Sequence, residues 1–186
     1  LIDIPKDVGL EEINDYNTIT LKDIFKKRDF RYDNFLSKSL IKKVLSYIKQ
    51  SSQAIVYGGG GLIRAISSQV LRKFVNKFQI PLTYTLMGKG IMDEKHQLCL
   101  GMLGMHGSAY ANFAVSSCDL LIAIGTRFDD RVTGKLDEFA NHAQVIHIDI
   151  DTAEIGKNRI PQLPLIGDAE KILTEVIREK TEYFDL

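Results

Sequence analysis

Asp119-Leu120-Leu121-Ile122-Ala123-Ile124-Gly125 is apolar through its middle and bounded by an aspartate and a glycine. Such a run suits a strand covered on both faces, as the strands of parallel sheets are. The segments around it repeat the pattern. Ala54-Ile55-Val56-Tyr57 ends in four glycines, Gly58 to Gly61, and Leu82 to Leu86 is closed by Gly88 and Gly90. Val145 to Ile150 leads into Asp151, and Leu165-Ile166 ends at Gly167-Asp168. Between these runs the spacing turns helical. Leu40, Ile41, Val44, Leu45 and Ile48 predict a helix over Ser37 to Gln50. Ile63, Ile66, Val70, Leu71, Phe74 and Phe78 mark a second, which must stop before Pro81. A third starts near Gly107-Ser108 and carries Tyr110, Phe113, Ala114 and Val115. A turn of helix is expected at Thr152 to Ile155, and a last helix from about Ala169 to Thr181. Strands alternating with helices in this way imply βαβ units, a parallel sheet and right-handed crossovers. The fold class is α/β.

Composition narrows the function. With 186 residues, one domain or two small ones are expected. The 24 Lys+Arg balance 24 Asp+Glu, which argues against a basic nucleic-acid or membrane-surface binder. Hydrophobic residues at 45% and charged residues at 26% are those of a folded globular chain. The longest apolar stretch, Leu120 to Ile124, is far short of the ~20 residues a bilayer needs. Cys99 and Cys118 lack zinc spacing and read as small buried hydrophobes in a reduced compartment. The chain opens on Leu1-Ile2-Asp3-Ile4-Pro5, a strand running into a turn, with no signal peptide before it. It is expected to be a piece of a longer protein. Residues 1–35 read as a segment connecting this piece to that remainder, and residues 36–186 as the domain. A flexible chain end fits Lys22 to Asp33 equally well.

In an open parallel sheet, ligands bind outside the carboxyl ends of the strands, where helix N-termini also offer N–H groups. The loops that follow strands therefore hold the candidates. Gly58 to Gly61 sit between a strand and a helix, where backbone can approach a phosphate, although the same glycines also fit a tight turn. They do not form GxGxxG, and GxxxxGK[ST] does not occur in the chain. Arg127 stands with Asp129, Asp130 and Arg131, and a guanidinium suits phosphate or another planar acceptor. A solvated, salt-bridged loop is the alternative. Asp149 sits at a strand end, as ribose-binding carboxylates do, whereas Asp151 reads as a helix cap with Glu154 as its capping-box partner. His106 lies among glycines and methionines in Gly101-Met102-Leu103-Gly104-Met105-His106-Gly107. His96, His106, His142 and His147 show no metal-ligand spacing. The sequence offers a phosphate-and-nucleotide surface without an acid, base or nucleophile. It reads as a binding domain.

Several of these stretches together resemble a known family. Leu1-Ile2-Asp3-Ile4-Pro5-Lys6-Asp7-Val8 is similar to the strand end leading into the central domain of thiamine-diphosphate-dependent enzymes. The 101–107 loop, Gly125-Thr126-Arg127-Phe128-Asp129-Asp130-Arg131-Val132-Thr133-Gly134 and His147-Ile148-Asp149-Ile150-Asp151-Thr152-Ala153-Glu154-Ile155-Gly156-Lys157-Asn158 resemble the large catalytic subunits of acetolactate synthases, also called acetohydroxyacid synthases. The resemblance covers nearly the whole chain and is weakest between Gly9 and Phe35. It implies a Rossmann-like six-stranded parallel sheet flanked by helices, with FAD bound. It brings Gly58, Gly59, Gly60, Gly125, Arg127, Asp129 and Val132 to FAD. Thr85, Leu86, Leu103, Gly104, Met105 and His106 would line the flavin side. Asp149, Ile150, Gly167 and Asp168 would meet the adenosine end. Asp130 and Arg131 would border the channel to the active site.

By the same resemblance, the parent enzyme decarboxylates pyruvate on thiamine diphosphate and transfers the two-carbon unit to a second 2-keto acid, opening branched-chain amino-acid synthesis. The glutamate that activates thiamine and the GDG…N magnesium motif belong to the family's other domains, so this piece alone is expected to be inactive. The implied partners are those catalytic domains, further copies in a dimer or tetramer, and a regulatory small subunit. Nucleic acid and membrane are not among them. The implied compartment is the bacterial cytoplasm or the plastid stroma. A glyoxylate carboligase or oxidase of the same class, an NAD-binding deacetylase-like module and a structural contact domain are the rivals; Phe128-Asp129-Asp130-Arg131 favours the synthase.

Overall fold

The run read first, β4 (Leu120–Ile124), lies inside a six-stranded sheet and is buried at every position. A computed structural model describes residues 37–64, 68–136 and 138–184, all within one compact unit. The other strands are β1 (Ala54–Gly58), β2 (Leu82–Tyr84), β3 (Cys99–Met102), β5 (Gln144–Asp149) and β6 (Leu163–Ile166). All pairings are parallel, in the order β3-β2-β1-β4-β5-β6. The helices are α1 (Lys38–Gln50), α2 (Gly61–Arg64), α3 (Ser68–Phe78), α4 (Ala109–Ser117), α5 (Asp130–Thr133) and α6 (Ala169–Phe184).

Alternation along the strands divides the core between two faces. Val56, Leu82, Ile122, Ile146 and Leu165 pack with Ile41, Leu45, Leu71, Phe74, Ile172 and Val176 from α1, α3 and α6. Ile55, Tyr57, Leu121, Ala123 and Val145 pack on the other side with Ala111, Val115, Phe128 and Phe139. Each fully buried side chain of this size contributes about 1.5–3 kcal/mol. Ser37 caps α1 by accepting the Leu40 N–H (3.3 Å). Ser108 caps α4 through the Ala111 N–H (3.1 Å) and donates to the Leu100 carbonyl (2.6 Å), tying that helix to β3. The Asp119 carboxylate accepts from the Ser51 hydroxyl, from the Ser52 N–H and hydroxyl (both 2.8 Å) and from the Gln53 N–H (3.1 Å). It thereby staples the entrance of β1 to that of β4.

Several local expectations change, and the strand read from Leu82 to Leu86 ends at Tyr84, before a 3-10 turn over Leu86–Gly88. The edge strand β3 carries no strand expectation, and its last two residues, Gly101-Met102, are read from the sequence as the start of a loop. Its residues are all only half-buried, its pairing with β2 shifts register, and Gly101 at φ +87° interrupts the apolar stretch from Leu98 to Leu103. The Thr152–Ile155 stretch forms turns without helix. Asp151 does cap, accepting the Ala153 N–H (2.9 Å), but its own N–H goes to Asp149 Oδ1 (2.9 Å), so the capping box with Glu154 does not close. Ile63 is half exposed instead of facing the core. Ile66 and the 1–35 segment lie outside the described residues. Cys99 and Cys118 are free thiols, and burial pushes Cys118 up to about 12.

Candidate functional site at the carboxyl edge of the sheet

From β1 the chain winds outward to β3, and from β4 outward to β6. The strand order therefore reverses between β1 and β4, where sheets of this kind hold their ligands. The loops leaving β1 and β4 meet there by backbone contact. A Cβ on Gly59 would stand 2.0 Å from the Gly125 carbonyl oxygen, and one on Gly61 would stand 2.9 Å from Gly125 Cα. The Gly59 N–H donates to the Ile124 carbonyl (2.9 Å) and the Gly61 N–H to that of Gly125 (3.3 Å). Gly58 abuts Ile91, and Gly60 borders Met87 on the loop after β2. Packing between loops thus accounts for glycine at 59 and 61 before any ligand is considered, whereas Gly58 faces only movable side-chain ends, the nearest that of Ile91.

The loop after β4 is held from below. Tyr57, Ala123 and His147 stand in one row across β1, β4 and β5. Ala123 contributes only a methyl, and the Phe128 ring uses the room beside it. That ring meets Tyr57 at 5.9 Å and His147 at 5.1 Å between centroids, both edge-on, and is 1% exposed. Phe128 does so from φ +50°, a conformation costly for a bulky residue that persists only where its surroundings impose it. The three carbonyls of the turn are also bound. His147 Nε2 lies 3.0 Å from the Thr126 carbonyl, and Asn158 Nδ2 donates to the carbonyls of Arg127 (3.0 Å) and Phe128 (3.1 Å). Since Thr126 offers an acceptor, Nε2 carries the proton and Nδ1, which has no partner, does not. Burial holds the His147 pKa below its usual value, so the 4.0 Å approach to Asp149 is no ion pair at neutral pH.

Above this floor the charged side chains face outward. Arg127, Asp129, Asp130 and Arg131 are exposed, and neither arginine is in an ion pair among the described residues. The loop is solvated as that alternative expects, and both arginines act on Asp129 through their charge without closing an ion pair. Asp129 caps α5 by accepting the Arg131 N–H (3.1 Å), and that hydrogen bond leads the causes holding its carboxyl below the usual range. Asp130 accepts the same N–H (2.8 Å).

The remaining loops close around this one. The Met105 N–H donates to the Arg131 carbonyl (3.2 Å), and a Cβ on Gly104 would stand 2.8 Å from that oxygen. Asn112 on α4 both donates to and accepts from the Gly104 backbone (3.1 and 3.3 Å). The 104–106 loop and the Asp130–Arg131–Val132 turn are therefore neighbours, with Met105 and His106 exposed and Val132 half-buried. Leu103 lies in the core instead, its N–H on the Tyr84 carbonyl (3.0 Å). Thr85 accepts the Gly88 N–H (3.0 Å) and leaves Leu86 on the surface. Asp149 is half-buried, which raises its pKa, and only its Oδ1 accepts a hydrogen bond. The Gly167 N–H donates to the Asp149 carbonyl (2.9 Å), and Asp168 accepts the Glu170 N–H (2.8 Å) at the start of α6. Leu86, Met87, Met105 and Ile150, on the loops after β2, β3 and β5 at the same edge of the sheet, are 68%, 70%, 72% and 73% exposed.

Sequence reasoning singled out neither Phe128 as a plug nor Asn112, His147 and Asn158 as holders of loop backbone. The available signal was an aromatic inside a charged loop. Among the described residues, no group of three or more His, Cys, Asp or Glu could hold a metal, and no helix is long and apolar enough to cross a membrane.

Comparison with known proteins matches residues 41–176 to the thiamine pyrophosphate enzyme central domain. The chain is 55% identical over 95% of its length to the acetolactate synthase large subunit of Pyropia yezoensis, of which it covers 30%. It is 48% identical over 95% of its length to that of Parasynechococcus marenigrum, covering 28%. It is 44% identical over 96% of its length to a probable acetolactate synthase large subunit of Methanococcus aeolicus, covering 30%. The chain thus spans about a third of the length of these relatives.

Proposed function

Because the chain belongs to the thiamine pyrophosphate enzyme central-domain family, we propose that it is the FAD-binding middle part of an acetolactate synthase large subunit. One observation carries the FAD reading. At the switch point an arginine without an ion-pair partner among the described residues shares the carboxyl edge of the sheet with exposed Leu86, Met87, Met105 and Ile150. FAD brings two phosphate charges, an adenosine end and a flat, largely apolar ring system. The residues fit it: Arg127 for a phosphate or the ring's polar edge, the exposed apolar side chains for the rings, and the uncommitted Asp149 Oδ2 for a ribose hydroxyl.

The rest of the reading is carried by the relatives' names. Pyruvate is decarboxylated and joined to a second 2-keto acid in the remainder of the polypeptide. Thiamine diphosphate, with Mg2+, supplies that carbanion chemistry when bound. The part described here binds, orients and borders: Asp130 and Arg131, beside Met105, stand at the channel wall, and this part alone has no activity. The intact enzyme works as a dimer or tetramer with a regulatory subunit, in bacterial cytoplasm or plastid stroma. Titrating FAD into the intact, flavin-stripped polypeptide tests the reading. Saturable quenching of flavin fluorescence is expected; its absence overturns FAD as the ligand.

A further inference from the structure

We propose that His147 and Asn158 are positioning residues of the flavin site, fixing the direction in which Arg127 leaves the sheet. The inference rests on the FAD reading above and names what prepares that site. Thr126, Arg127 and Phe128 are three successive residues whose carbonyls are all claimed by side chains from the β5 side of the sheet. The donors come from two separate places, the middle of β5 and the turn after Gly156. A peptide unit whose carbonyl is held cannot rotate, so the Arg127 Cα–Cβ direction is set by its neighbours. The guanidinium itself is left without an ion pair among the described residues. Bound backbone under an uncommitted cation is how a site avoids ordering its own loop on binding.

Asn158 suits the role because its amide has two N–H bonds, one for each carbonyl, and only its nitrogen can face two acceptors. It is exposed, so packing does not explain its placement. His147 is fully buried, and its ring also meets Phe128 edge-on. Its hydrogen bond and its packing must therefore be separated. Phe at 147 keeps a ring without a donor, whereas Gln reaches with an amide nitrogen to nearly the same point.

The test uses the intact polypeptide, stripped of flavin, with FAD affinity read by fluorescence quenching and folding by melting temperature. Asn158→Ala is expected to weaken FAD binding about tenfold, the worth of one or two hydrogen bonds, while leaving the melting temperature nearly unchanged. His147→Phe should weaken it similarly, and His147→Gln should recover most of the loss. Wild-type affinity in Asn158→Ala overturns the proposal for that residue. Equal loss in His147→Phe and His147→Gln overturns it for the histidine, since ring packing would then be what matters. In both cases the wild type still binds FAD, and the reading of the site survives. A wild type that binds no FAD overturns both.

Discussion

The Phe128 ring stands perpendicular to the His147 imidazole, 5.1 Å away, beneath the turn that carries Arg127. Phe128 holds φ +50° to make that contact. Phe128→Ala keeps the strained backbone and empties the slot beside Ala123. It should cost about 3–5 kcal/mol locally, read as faster amide hydrogen exchange from Gly125 to Gly134. Unchanged exchange there would mean the turn stands without its plug.

Asp119 predicts a pH dependence. Burial pushes its carboxyl up, but the hydrogen bonds from Ser51, Ser52 and Gln53 outweigh this and bring it down from 3.8 to about 2. A depressed carboxylate stabilises the fold fully above its unfolded pKa, and the contribution fades as pH falls through the folded one. Asp119→Asn should therefore destabilise by about 1–2 kcal/mol at pH 7, discounted for its partial exposure. The gap to wild type should close between pH 4 and pH 2. A gap independent of pH would assign the loss to packing. Burial likewise keeps His147 neutral, so stability present above pH 6.5 should decline as pH falls below it.

Gly59 and Gly134 separate crowding from backbone conformation. A Cβ at 59 strikes the Gly125 carbonyl oxygen at 2.0 Å, whereas one at 134 meets nothing within 4 Å but suffers φ +57°. Gly59→Ala should thus lower the melting temperature beyond the effect of Gly134→Ala, whose cost is backbone alone, about 1–3 kcal/mol at φ +57° and ψ −122°. The reverse order would mean that the loops after β1 and β4 do not interlock.

What the sequence shows of this fold depends on how each segment is buried. Leu120 to Ile124 is legible because both its faces are covered, leaving no polar residue to break the run. Cys99 to Met102 is hard to read because Gly101, at φ +87°, interrupts the apolar stretch from Leu98 to Leu103 and makes it resemble a loop. The loops that make the site follow from the strand ends, so Arg127 and Asp149 could be picked out one by one. Their supports could not. Asn158 acts 31 residues from Arg127, and His147 lies 21 from Thr126; only the pairing of β4 with β5 brings such residues together. The glycines show a different limit. Sequence tells that Gly59 needs no side chain, but the structure tells that the Gly125 backbone is what fills the space.

The measurement closest to the central claim compares Arg127→Ala with Arg131→Ala for FAD affinity in the intact polypeptide. Arg127 stands at the switch point over a bound backbone, whereas Arg131 serves Met105 through its carbonyl, which the substitution leaves in place. Losing a charge-assisted hydrogen bond costs about 1.5–3 kcal/mol, so Arg127→Ala should bind FAD roughly ten- to a hundredfold more weakly. Arg131→Ala should bind FAD nearly as the wild type does and be impaired in substrate access instead. Equal FAD affinity in the two variants, or the larger loss in Arg131→Ala, would contradict the account of this edge of the sheet.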